Sequence, residues 1–154
     1  MKTIAALLAV FLLNMVAPSL LADGNFRTHC KGINEVPPVD TGGQCQAIFN
    51  LTEDGTGLRY KLIVANLEFV TQSHIHLAPA GSNGGVVAFL FGFDPAGATV
   101  NGILAQGVIT GADLIGALAG MSIADLVAEL ETGDAYVNVH TQTVPSGEVR
   151  GQIH

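Results

Sequence analysis

The chain has 154 residues, with 13 Asp and Glu against 6 Lys and Arg and a formal net charge of −7. That length predicts one domain. The acidic balance and the lack of a basic patch exclude nucleic acid as a partner and argue against an anionic membrane surface.

Met1 and Lys2 form a short positive start, and Ile4 to Val16 is an apolar run interrupted only by Asn14. Pro18, Ser19 and Ala22 follow as a cleavage region. This is the layout of a secretory signal peptide over residues 1–22, leaving a mature domain over 23–154. The run is shorter than the ~20 apolar residues of a spanning helix, so no membrane span is expected after cleavage. The expected location is secreted or periplasmic. An even pair of cysteines in an exported chain, Cys30 and Cys45, predicts a disulfide tying the first two strands together. Two buried thiols are the alternative.

The mature chain is a series of short β-like runs divided by Gly, Pro and Asp. Phe26, Thr28 and Cys30 alternate with polar neighbours, and Glu35-Val36-Pro37-Pro38-Val39 is extended, since proline cannot join a central ladder. Cys45, Ala47, Phe49 and Leu51 share one face of the next run. Glu53 to Gly57 reads as a hairpin turn, after which Leu58, Tyr60, Leu62 and Val64 alternate with Arg59 and Lys61. Ser73 to Leu77 is followed by a glycine-rich loop over 78–85. Val86 to Phe91 is a wholly apolar run that predicts a buried strand, and Gly102 to Ile109 is another strand. Helical spacing then appears in Gly111–Ala119, through Leu114, Ile115 and Leu118. It returns in Ser122–Glu131, with Ser122 and Asp125 in a capping-box arrangement and Gly133 as a stop. Strands resume at Ala135–Thr141 and Glu148–Ile153. The prediction is an all-β, antiparallel, Greek-key-like sandwich or barrel with a short two-helix excursion.

Strand parity points to a site. Successive side chains point to opposite faces. If Ile75 is core, His74 and His76 share the opposite face. If Val137 and Val139 are core, Tyr136, Asn138 and His140 face away. Val149 and Ile153 as core leave Glu148, Arg150 and Gln152 outward. His74, His76 and His140 would form a three-nitrogen metal site if their strands neighbour one another, suited to zinc or copper. Exposed or loop-bonded histidines are the plainer alternative. Glu148 and Arg150 are possible supporting residues, although an ion pair or a loop contact is the plainer explanation of both. His29 and His154 sit at the ends of the mature chain and are read as bystanders.

Five motifs then occur in a specific order: Glu35-Val36-Pro37-Pro38-Val39, His74-Ile75-His76, Asn83-Gly84, Tyr136-Val137-Asn138-Val139-His140-Thr141 and Gly147-Glu148-Val149-Arg150-Gly151-Gln152-Ile153. In this the sequence resembles CHRD domains, over roughly Phe26 to Ile153. The resemblance implies an extracellular β-rich domain, of the kind repeated in chordin and found alone in bacterial secreted proteins. It does not imply growth-factor binding, because chordin's cysteine-rich modules are absent, and it supplies no catalytic residue set. The His-x-His strand with a late histidine is also similar to copper–zinc superoxide dismutase, but no bridging histidine or second ligand set is present.

Three functions compete. One is a binding module for an extracellular protein or surface ligand, holding a metal through its histidines. Another is a copper- or zinc-dependent redox enzyme, with Arg150 attracting an anion. The third is a structural envelope or matrix protein. No nucleotide-loop lysine follows the glycines at 81, 84 and 85, and no serine lies in a Gly-x-Ser-x-Gly setting. Asn50-Leu51-Thr52 is a glycosylation sequon.

Overall fold

The computed structural model of the chain describes residues 24–154, and the leader expected over residues 1–22 lies outside them. Eight strands follow in chain order. They are β1 (Asn25–Lys31), β2 (Gln44–Leu51), β3 (Gly57–Ala65), β4 (Val70–Leu77), β5 (Gly85–Phe91), β6 (Gly102–Thr110), β7 (Ala135–Thr141) and β8 (Val149–Gln152). One helix, α1 (Ile123–Thr132), lies between β6 and β7. Every pairing is antiparallel, in a single sheet ordered β5-β4-β7-β8-β1-β2-β3-β6. The sheet curls until β5 and β6 approach each other, and the Tyr60 hydroxyl on β3 donates to the Leu90 carbonyl on β5 at 2.8 Å. The result is a nearly closed all-β barrel, as the alternation predicts.

The alternating apolar positions fill the interior. Phe26 and Cys30 of β1, Cys45, Ala47 and Phe49 of β2, and Leu58, Leu62 and Val64 of β3 are buried together with Ile75, Val137, Val139, Val149 and Ile153. Each large apolar side chain among them contributes roughly 1.5–3 kcal/mol when fully buried. Cys30 and Cys45 are register partners on β1 and β2, with Cα atoms 4.6 Å apart, and the expected disulfide joins them.

The excursion differs in part from its prediction. Ser122 caps α1, with the Asp125 carboxylate accepting both its backbone N–H at 2.8 Å and its hydroxyl at 2.6 Å. Gly133 ends the helix in the left-handed conformation. Gly111–Ala119 is not an α-helix, however, but two 3₁₀ turns, Gly111–Asp113 and Gly116–Leu118. Leu114 and Ile115 between them are extended, because the Ile115 N–H is drawn to the Val87 carbonyl on β5 at 2.9 Å. Gly116 then turns at φ +59, a conformation that costs glycine little. The spacing of Leu114 and Leu118 reflects burial, which both attain alongside Leu126 and Leu130, rather than helix. The excursion thus supplies partners to the otherwise unpaired edge of β5.

Val86–Phe91 forms β5 as expected, but it is an edge strand and not wholly buried. Phe89 stands on its outer face, 47% exposed.

Candidate metal centre

Register assembles the site. On β4 and β7, His74 lies opposite Asn138 and His76 opposite Tyr136. On β7 and β8, Asn138 lies opposite Arg150 and Tyr136 opposite Gln152. Phe89 of β5 lies opposite His74. The outer face of the barrel therefore carries two parallel rows. One runs Phe89, His74, Asn138, Arg150; the other includes His76, Tyr136 and Gln152. His140, two residues along β7 from Asn138, shares the face of the His74 ring, at the diagonal spacing within reach of long side chains.

Parity correctly turns these side chains away from the barrel interior, yet they are not solvated. His74, His76, Asn138, His140 and Arg150 are all buried. Two loops cover them. Residues 78–84 follow β4 and residues 142–148 join β7 to β8. The His76 Nδ1–H donates to the Gly84 carbonyl at 3.0 Å, and the His140 Nδ1–H donates to the Pro145 carbonyl at 2.8 Å.

These two outward bonds fix the tautomers. A neutral imidazole has one N–H, so both Nε2 atoms carry lone pairs, and both face inward. Each lies 3.0 Å from Asn138 Oδ1. His140 Nε2 is also 3.2 Å from His74 Nδ1. One ligating atom from each of the three rings lies within 4.8 Å of those of the other two. Burial holds all three imidazoles below their usual titration range. His74 is lowered to about 3, by burial first and then by the charges that His140 and His76 would carry. The rings are therefore neutral at physiological pH, the form that binds a metal. An outer N–H committed to a backbone carbonyl is also the usual support of a metal-bound histidine.

Arg150 closes one side. Its guanidinium carbon lies 3.4 Å from the centre of the Tyr136 ring, whose other neighbour is the His76 ring, stacked at 4.7 Å and 6°. Arg150 donates to the Pro79 carbonyl at 3.1 Å and to Asn83 Oδ1 at 3.3 Å. It thereby fastens the 78–84 loop over the histidines. Glu148 stands apart from the cluster. Its carboxylate accepts from Thr41 at 2.7 Å and from Thr141 at 2.6 Å, which links the chain ahead of β2 to the end of β7. His29 bonds Gln44 on the exposed surface, away from the three.

Parity places Asn138 and Tyr136 on this face without giving them a part in the site, and the sequence marks Glu35 only as extended chain. Glu35 is buried with its Oε1 unpartnered. Burial raises it to about 7, despite the opposing pull of Arg150. Asn83 donates to the Val36 carbonyl at 2.8 Å, which joins the Glu35–Val39 segment to the same assembly. All five sequence motifs, scattered over more than a hundred residues, thus meet on one face of β4, β7 and β8.

The CHRD domain model matches residues 26–153. The chain belongs to the CHRD-domain family. It is similar to chordin of Xenopus laevis, at 32% identity over 127 residues that cover 77% of this chain and 12% of that protein. The chain therefore corresponds to a small part of that relative. No solved structure matches it.

Proposed function

We propose that this chain is an exported CHRD-domain binding module that holds one zinc or copper ion on His74, His76 and His140. The observation that carries the reading is the pair of outward bonds to Gly84 and Pro145. They leave the Nε2 lone pairs of His76 and His140 aimed at one point, beside a third ring. The Cys30–Cys45 disulfide supports an oxidising compartment, and the apolar leader supports export to it.

A binding or structural use of the ion is favoured over redox catalysis. The three rings are at most 8% exposed beneath two loops, whereas a catalytic ion needs an open position and a path for substrate. The partner of the module would be an extracellular protein or surface ligand, approached over the loops that the ion steadies. The test is the metal content of the purified mature protein after loading with zinc or with copper, followed by removal of excess. One ion per chain, lost in His76→Ala and His140→Ala, supports the proposal. No retained ion under either loading would refute it.

A further inference from the structure

We propose that Asn138 is a fourth ligand of this centre. Its Oδ1 would complete a set of three nitrogens and one oxygen that closes tetrahedrally around a divalent ion of zinc type. The inference rests on the three-histidine reading above and deepens it.

The cluster has too few protons for its contacts. His76 and His140 each commit their N–H outward, at 3.0 Å to Gly84 and 2.8 Å to Pro145. Their Nε2 lone pairs both lie 3.0 Å from Asn138 Oδ1, which is itself an acceptor. His74 Nδ1, 3.2 Å from His140 Nε2, can supply at most one proton. With Asn138 Oδ1 turned to the rings, three short contacts share a single proton at best, in a buried place where each unsatisfied polar group costs about 1–3 kcal/mol. A cation among these atoms resolves all three contacts at once.

The distances agree with this. Metal–nitrogen bonds of 2.0–2.1 Å in a tetrahedron place neighbouring ligand atoms about 3.3 Å apart. The contacts of 3.0, 3.0 and 3.2 Å lie close to that edge. The widest nitrogen pair, within 4.8 Å, must draw in by about 1.5 Å to match. The His74 ring, unlike the other two, is not tied to a backbone carbonyl.

A second observation favours the amide oxygen as the end that faces the rings. Gly147 has no side chain, and the point where a Cβ would stand is 3.0 Å from Asn138 Nδ2 and 2.7 Å from Glu35 Oε1. The φ of Gly147, +121, likewise excludes other residues. Glu35 is 6% exposed and its Oε1 has no hydrogen-bond partner. The donor end of the amide thus shares a cradle with an oxygen that lacks a donor. Turning the amide over would bring two oxygens into that cradle. In its carboxylate form Glu35 would be a positioning residue that keeps Oδ1 on the metal side.

The experiment uses the mature protein stripped with a chelator. Zinc affinity is measured by competition, and coordination is read from the visible spectrum of bound Co²⁺, intense for four ligands and weak for six. The wild type should bind one equivalent with the four-coordinate spectrum. Asn138→Ala should bind zinc at least about tenfold more weakly, and any four-coordinate spectrum it keeps would come from a water in place of the amide oxygen. Asn138→Asp, which keeps an oxygen at the same reach, should restore the wild-type spectrum. Asn138→Gln, which moves that oxygen, should not, and this pair decides the matter if the alanine variant fails to fold. Wild-type affinity and spectrum in Asn138→Ala, or identical spectra in the Asp and Gln variants, would overturn Asn138 as a ligand. If His76→Ala still abolished binding, the three-histidine site would stand. A wild type that binds neither ion would overturn both.

Discussion

His74 Nδ1 lies 3.2 Å from His140 Nε2, although 66 residues of chain separate them. Both rings are buried, and the far nitrogen of His140 is turned away to the Pro145 carbonyl. The contact exists because β4 and β7 are neighbours in the sheet, with His74 opposite Asn138. It brings together the face of the His-x-His strand and that of the late histidine, and everything proposed for function depends on it.

Glu35 should impose a measurable pH dependence on the metal-free protein. Its folded value is about 7 against an ordinary 4.5, chiefly through burial. The unfolded chain releases this proton near 4.5 and the folded chain only near 7. The stability it contributes is therefore full below about pH 4.5 and declines as pH rises to about 7. Glu35→Gln removes that decline. Urea midpoints of the two proteins in chelator should diverge in favour of the variant from about pH 4.5 to about 7 and then run parallel. A difference independent of pH would contradict the assignment.

The histidines act in the opposite sense. His74 is lowered from 6.5 to about 3, so the unfolded chain takes up its proton before the folded one does. The metal-free protein should lose stability as pH falls from about 6.5 toward 3. His74→Gln should flatten that limb in chemical unfolding. An unchanged acid limb would show that this ring is accessible to protons in the folded state.

Arg150 should not be replaceable by lysine. Lysine keeps the charge but loses the planar face over Tyr136 and the fork that reaches both Pro79 and Asn83. Arg150→Lys is expected to cost about 2–3 kcal/mol, the range for hydrogen bonds to a charged group together with a desolvated cation–π contact. Amide exchange in residues 79–84 should accelerate more than elsewhere. Unchanged protection of that loop would mean that Arg150 does not fasten it.

Two local devices have separable contributions. Replacing Cys30 and Cys45 together by serine should cost about 3 kcal/mol, the value for a loop of this size in the chain-entropy model. Ser122→Ala should cost about 1 kcal/mol through the lost cap of α1. Equilibrium unfolding checks both. A negligible loss in the double variant would mean that the disulfide does not brace the barrel, and a negligible loss in Ser122→Ala that the cap does not hold α1.

The barrel and the shared outer face of the three histidines are legible in the sequence because strand parity is rigid, whereas the pairing of β4 with β7 that brings them together is not. Once Ile75, Val137 and Val139 are core, His74, His76 and His140 must share the other face. The disulfide follows from two half-buried alternating runs. The turns at Gly111–Ala119 are not legible, since leucines at helical spacing look alike whether a helix or an edge contact buries them. The cover over the polar face is equally hidden. Alternation marks Asn138 and Arg150 as outward but does not reveal that the 78–84 and 142–148 loops fold back over them. Glu35 escapes notice for the same reason, because its partners lie more than a hundred residues away and meet it only where Gly147 leaves space.

The most direct test of the three-histidine centre is a long-range ¹H–¹⁵N correlation spectrum of the imidazoles, recorded before and after one equivalent of zinc. His76 and His140 are predicted to be Nδ1–H tautomers in the metal-free protein. On zinc addition their Nε2 resonances should shift together with that of one His74 nitrogen, while His29 and His154 stay unchanged. Zinc that leaves His74, His76 and His140 unmoved, or that shifts only His29 and His154, would contradict the shared centre.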